Sequence, residues 1–469
     1  LSATFVAILL GLPTAIILAA KDLPLKRVFY FLVLIPVLMP SYVMAGAWMH
    51  LLSPSGLINQ ILACVFGPSG KLTVHSLAGC AWCLGISFFP IIALIVATGL
   101  SQLDNSLLDI ARLSTGRWGG LRHAIIPQIL PQLAASVCLV MIFVLAQYGV
   151  PSLLGVNTYP VEIFAQFSAF YDDSAAIATS VPLVILVLFL ILLQRRFMSG
   201  HDYVRITPSS EPQNQIALKK YKRLAVGFLI ILSFLTMLLP FASVLTNAQS
   251  ITKIASTIRS YSDGFVTTSM LALLAMVIST VIAFPIGLYL AQPHGRFAKA
   301  LDIICWIPVA IPGTIIALGL IKLSNWFPAL LKTDSFGIVL LIAYVGMFSA
   351  FSIRIFQASQ RRADPSIFEA AAIDCPRWYY RLLHIDIPLH SGAIAASMIV
   401  VFVLTIGELN TTVLLIPPGR ATLAVNIDNL LHYGANSQAS VLCLAEVVLV
   451  LLVVGGGLLV WHIAGNSRK

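Results

Sequence analysis

A chain of 469 residues in which 59% are hydrophobic and only 10% charged, with a mean hydropathy of +0.95, is too apolar for a soluble globular protein. Its apolar residues run in stretches of about 20, the length an α-helix needs to cross roughly 30 Å of hydrocarbon. Segments such as 441–457 lack the alternation of an outer-membrane barrel strand. The formal charge of +10 is spread over short connections, as expected of cytoplasmic loops rather than of a nucleic-acid surface. The class is an all-α polytopic membrane protein in a lipid bilayer, with no nucleic-acid partner.

In chain order, hydropathy places spans near 1–20, 29–51, 74–99, 125–148 and 176–194, then near 224–247, 265–291, 300–322, 337–358, 388–413 and 438–463, about eleven in all. Basic residues fall on alternate connections: Lys21, Lys26 and Arg27; Arg112, Arg117 and Arg122; Arg195 to Arg223; Arg296 and Lys299; Arg354 to Arg381; Arg468 and Lys469. These are the cytoplasmic side, so Leu1 starts on the outer face. No basic residue precedes the opening apolar run, so no cleavable signal peptide is read there and residue 1 is not taken as the native start. The seven cysteines are scattered, mostly in apolar runs. The Cys80/Cys83 pair lies inside one such run without a second ligand pair, so it is read as packing rather than as metal or redox chemistry.

The polar stretch 195–223 is too hydrophilic to cross and reads as a cytoplasmic linker between residues 1–194 and 224–469. The two flanks repeat each other. Pro13, Ile35, Pro36, Pro40 and Ala45 recur as Pro285, Ile307, Pro308, Pro312 and Ala317, each displaced by 272 residues. Residues 224–247 have no counterpart ahead of Leu1, so a complete chain is expected to carry one further helix there and six spans in each half.

Two long cytoplasmic connections carry a second repeat. Asp104 to Ala111 recurs as Asp364 to Ala371, and Arg117-Trp118 as Arg377-Trp378, all displaced by 260 residues. Asp364 is a good helix N-cap and Pro365 a good first helical residue, while Pro376 or Gly116 would end a short helix about three turns on. Each loop is predicted to hold a short helix across the cytoplasmic mouth, with Ile367, Phe368 and Ala371 available for packing and small residues at 370–372 for close approach.

Glu369-Ala370-Ala371, then Cys375, then Ile385-Asp386-Ile387-Pro388 resembles the EAA motif of binding-protein-dependent ABC importer permeases, which reads EAA, three residues, Gly, nine residues, I-x-L-P. Cys375 replaces the family's Gly and Ile387 its Leu. In the first half Asp109, Ala111, Arg112, Gly116 and Pro127 resemble a weakened copy, one residue shorter before the proline. The resemblance implies a type I ABC importer permease fold of two homologous halves, in which each motif forms a coupling helix docked on an ATPase subunit. Nothing here resembles a Walker A sequence. The chain is therefore read as a transport permease and not an enzyme, binding no cofactor itself. ATP and Mg would sit on two copies of a partner ATPase, and a periplasmic or lipid-anchored binding protein would deliver the substrate at the inner (plasma) membrane.

Residues Gly407 to Thr412, Pro417 to Gly419 and Thr422 to Val425, with Gly149 to Pro151 and Leu154-Gly155, look like outer loops of the fused ferric-iron permeases in that family. The implied cargo is ferric iron; thiamine, polyamine and phosphonate permeases are similar alternatives. Fe³⁺ favours oxygen ligands, so Glu408 at the outer end of a span, and Glu162, Asp172 and Asp173 in the first half's outer loop, are candidates for steering a cation, as against solvated carboxylates or contacts to a binding protein. No metal ligand set is firmly assigned. Glu446 lies inside the last span and is read as a buried structural group. An ion-coupled secondary transporter is the competing class. It is disfavoured because the repeats run in parallel and acids within the spans are nearly absent.

Overall fold

In the computed structural model the described residues are 1–67, 71–101, 126–198, 218–248, 251–292, 295–326, 337–374 and 377–466, and among them every regular element is a helix. Among the described residues eight helices are long and apolar enough to cross a membrane, or up to eleven spans if each of three bent pairs is counted as one. The first part of the chain contains α1 (Ser2–Ala19), α2 (Lys26–Leu38), α3 (Ser41–Leu51), α4 (Leu57–Phe66), α5 (Leu77–Ser101), α6 (Ile126–Ala146), α7 (Gly149–Leu153), α8 (Tyr159–Ser168) and α9 (Asp173–Met198). Then α10 (Lys222–Ser233) and α11 (Leu239–Asn247) run on through one π-helical turn, Phe234–Leu238.

The remainder contains α12 (Ile251–Ser260), α13 (Ser262–Ala291), α14 (Arg296–Ala310), α15 (Gly313–Trp326), α16 (Ile338–Arg362), α17 (Pro365–Asp374), α18 (Trp378–Arg381), α19 (Ile387–Leu389), α20 (Ser391–Ile406), α21 (Thr412–Leu415), α22 (Leu423–His432) and α23 (Asn436–Asn466).

Hydropathy reads 29–51, 300–322 and 388–413 each as one run, but the chain turns sharply in all three. α2 meets α3 at 92°, α14 meets α15 at 99°, and the 378–389 segment meets α20 at 72°. Proline causes the first two bends. Met39 (φ −86°, ψ 130°) and Ile311 (φ −88°, ψ 122°) are extended, as a residue before proline prefers. Each still donates its N–H to the carbonyl four residues back, Ile35 and Ile307, both at 3.2 Å. Pro40 and Pro312 lack an N–H and open new helices, their carbonyls accepting from Val43 and Ile315 at 3.0 and 2.9 Å. The proline grid at constant displacement thus corresponds to the same backbone bend made twice.

Packing groups the chain into two units, Leu1–Gln249 with Leu431–Ser440, and Ser250–Leu430 with Val441–Lys469. In the first, α1 lies along α5, and Gly11 lets them touch: a Cβ there would sit 2.9 Å from both Ile92 Cβ and the Phe89 carbonyl. The helix that opens the second stretch of sequence packs into this unit, since Ser243 Oγ donates to the Ala47 carbonyl at 3.2 Å and lies 3.1 Å from His50 Nδ1. Asp22 accepts the Leu218 and Lys219 amides at 2.8 and 3.0 Å, anchoring the entry to that helix.

In the second unit α13 lies along α16 by the same device. A Cβ on Gly287 would fall 2.6 Å from Phe356 Cβ and 2.8 Å from the Ile353 carbonyl. Buried hydroxyls bind in the third helix: Thr280 of α13 lies 2.9 Å from Ser397 of α20, which donates to Ser352 of α16 at 2.8 Å. Replacing Gly287 with Leu forces these backbones apart. The expected loss is about 1–3 kcal/mol, read as a lower unfolding temperature in detergent. Gly227→Ala is the control: its Cβ would meet nothing within 4 Å, and it should cause no loss.

Candidate functional site

The connection after α16 folds as its residues direct. Asp364 Oδ1 accepts the Ser366 amide at 3.0 Å and the Asp364 carbonyl accepts the Ile367 amide at 3.2 Å, so α17 starts at Pro365. The Ser366 amide holds the Asp364 carboxyl below the usual carboxylate range. A lowered folded value means the cap is fully present above the ordinary carboxylate value and is lost only as pH falls through the folded one.

Glu369 and Ala370 are exposed on α17, and Ala371 is buried beneath them. Phe368 packs inward, its ring 6.5 Å from and nearly parallel to that of His390. Ile367, expected to pack with Phe368, is instead 40% exposed, because among the described side chains of α17 it is Phe368 and Ala371 that face its neighbours. α18 continues the exposed face. Trp378 is 75% exposed with its ring edge-on to Tyr379, and Tyr380 stacks on His384 at 4.1 Å. One π-helical turn, Leu382–Asp386, leads into α19, and Arg381 pairs with Asp386 at 3.5 Å. Ile385 and Pro388 are half-buried, while Leu383 is exposed.

The result is a surface of exposed aromatic, apolar and small side chains beside the charged Asp364, Glu369 and Arg377, a mixture suited to protein docking. Trp378, Tyr379 and Tyr380 dominate it. In the sequence Trp378 marks only the repeat, although three adjacent aromatics after a breaker are a visible signal. His390, Ser359 and Gln360 behind the patch carried no such signal. Cys375 lies outside the described residues, as do Asp109, Ala111, Arg112 and Gly116 of the first copy. Pro127, at the start of α6, is exposed.

The outer candidates divide between the two units. In the first, Gly149 is buried at the start of α7 and Glu162 is half-buried in the first turn of α8, accepting from Gln166 Nε2 at 2.8 Å; Tyr148 and Phe164 bring these two elements together with ring centroids 4.6 Å apart. In the second, Gly407 ends α20 and Glu408 follows it, only 8% exposed. Glu408 Oε1 accepts the Thr411 amide at 2.7 Å, and its carbonyl accepts from Thr412 Oγ1 at 2.6 Å, which lies 2.6 Å from the Tyr344 hydroxyl. Gly313 leaves room for this turn, since a Cβ there would sit 2.3 Å from Thr411 Oγ1. Glu408 is thus a buried brace of the loop rather than a solvated carboxylate. Glu446, in α23, is fully buried.

Residues 8–200 match the family described as binding-protein-dependent transport system inner membrane component. Over that stretch, less than half of its length, the chain is similar to the inner membrane components of binding-protein-dependent ABC transporters. It is a permease and not an enzyme, and it resides in the inner membrane; dependence on a binding protein and an ATPase is general to such transporters. Over 439 residues, 90% of this permease, it is 24% identical to the Fe(3+)-transport system permease protein FbpB 2 of Haemophilus influenzae and covers 81% of that protein. It is 21% identical over 445 residues, 89% of the chain, to the ferric transport system permease protein FbpB of Actinobacillus pleuropneumoniae, spanning 64% of it. A putative 2-aminoethylphosphonate transport system permease protein PhnV of Salmonella typhi is 28% identical over 167 residues, 36% of this chain and 63% of the relative.

The cap can be tested directly. Asp364→Ala should speed hydrogen exchange at the Ser366 and Ile367 amides severalfold without changing exchange in α13 or α16, as read by mass spectrometry.

Proposed function

We propose that this permease consists of two homologous halves, 1–194 and 224–469, joined by the 195–223 linker, and that it passes a protein-delivered substrate across the membrane by alternating access. A pair of separate ATPase subunits drives the cycle by docking on residues 364–389 and on the related connection 104–127. The observation that carries this reading is the solvent-exposed face formed by Ile367, Glu369, Ala370, Trp378, Tyr379 and Tyr380, on a capped helix whose motif spacing matches the family's coupling element. The repeated bend at Pro40 and Pro312 supports the two halves. So does the order of the longer elements among the described residues: a long helix, a bent pair, a long helix, a long helix or bent pair, and a final long helix.

The cargo in this reading is ferric iron, supported by the likeness to two ferric permeases over 89–90% of the chain. Gly149 and Glu162, and Gly407 and Glu408, belong to outer connections that receive it, with Glu408 shaping its loop. The likeness to a 2-aminoethylphosphonate permease, shorter but at slightly higher identity, favours phosphonate as the second reading.

Two measurements check these statements. Glu369→Arg should abolish co-elution with the ATPase subunits, and Trp378→Ala should weaken it by about 2 kcal/mol, the cost of losing an aromatic anchor from an interface centre. Undiminished co-elution of both variants would remove the docking assignment. In proteoliposomes holding the permease, its ATPase and its binding protein, ATP should drive uptake of Fe³⁺ and not of 2-aminoethylphosphonate; the opposite preference would decide for the second reading.

A further inference from the structure

His390 lies at the bend between 378–389 and α20 and is only 1% exposed. Its ring contacts three other elements of the same unit. Nδ1 is 2.8 Å from Ser359 Oγ and Nε2 is 2.7 Å from Gln360 Oε1, both in the last turn of α16. Phe368 of α17 lies along one side with its plane inclined by 11°, and Phe284 of α13 meets the ring edge-on at 6.1 Å. A neutral imidazole fits both polar partners, donating from Nε2 to the Gln360 side-chain oxygen Oε1 and accepting at Nδ1 from the Ser359 hydroxyl. The main chain adds two bonds. The His390 amide donates to Asp386 at 3.1 Å and the His390 carbonyl accepts from Ile394 at 2.9 Å, so the residue is fixed to both sides of the bend.

Burying an imidazole costs desolvation that an apolar side chain of like size would avoid. What it supplies here is a flat face for Phe368 together with two polar links to α16. The end of α16 is itself held. Gln357 Nε2 donates to the Leu290 carbonyl at the end of α13 at 2.9 Å, and Arg354 pairs with Asp302 of α14 at 2.8 Å and lies over the Trp306 ring. A displacement of α17 therefore meets, through Phe368 and His390, a cross-tied set of helix ends rather than one helix.

We infer that His390 is a positioning residue, the joint through which α17 moves α13, α14, α16 and α20 as a single body when an ATPase engages it. The inference rests on the docking role proposed above. It is tested in proteoliposomes containing the permease, ATPase and binding protein, by measuring co-elution, ATP hydrolysis and substrate transported per ATP hydrolysed. His390→Leu should keep co-elution and hydrolysis but lower transport per ATP about tenfold, within the range of a lost coupling energy. The double variant Ser359→Ala, Gln360→Ala, which keeps the ring and removes its links to α16, should fall likewise, and His390→Gln should recover part of the loss.

A wild-type ratio in both His390→Leu and the double variant overturns the inference, and if His390→Leu fails to accumulate in the membrane the double variant decides alone. Loss of co-elution confined to these variants also overturns it, since the histidine would then be holding the docking face. Absence of co-elution by the unaltered permease removes the docking reading itself and this inference with it.

Discussion

The lipid interior offers no partner to a backbone N–H or C=O, so the chain must satisfy each one internally, and that constraint shapes this protein more than any side-chain contact. Helices meet it by default. The bends are permitted because each is made where the hydrogen-bond ladder can close on both sides: Met39 and Ile311 finish the preceding helix, and the proline that follows has no N–H to orphan. The third bend, at His390, is closed by main-chain bonds to Asp386 and from Ile394. A run that hydropathy reads as one straight crossing thus becomes two short helices at a steep angle, which lets the chain change direction within an apolar stretch.

Association between helices cannot rely on the hydrophobic effect in lipid, and the two units use close packing and polar links instead. Gly11 and Gly287 bring α1 onto α5 and α13 onto α16 at backbone contact. The Thr280, Ser397 and Ser352 hydroxyls tie three helices of the second unit together. Such packing is stiff, and stiffness suits a permease whose cycle is proposed to run by rigid-body movement, because a force applied at one end is not dissipated in local rearrangement.

The family assignment and the motif come from different parts of the chain. The family match covers residues 8–200, where the cytoplasmic motif is degenerate, whereas the full motif spacing lies at 369–388, outside that match. The repeated proline bend links the two stretches. The second stretch, and not the matched one, is where the described residues present the exposed aromatic face around Trp378.

The membrane-spanning helices, the two proline bends as prolines and the start of α17 were legible in the sequence because each depends on local properties: run length, proline spacing and an Asp-Pro cap. The bends at Pro40 and Pro312 were visible as prolines but not as angles, since a proline within a membrane helix can kink, break or barely disturb it according to what surrounds it. The status of Glu408 was out of reach for the same reason: a carboxylate at the end of a span reads as exposed until Gly313 and Thr411 close over it. His390 was the least visible, because its partners lie 22 to 106 residues away, at Phe368, Ser359, Gln360 and Phe284. The sequence by itself determined a helical membrane protein with a repeated proline pattern and a helix capped at Asp364, because hydrophobic length and backbone propensity act over a few turns. Only the tertiary structure decided which side chains of the 364–390 stretch face outward and which meet behind them, because those depend on contacts between helices that no local periodicity encodes.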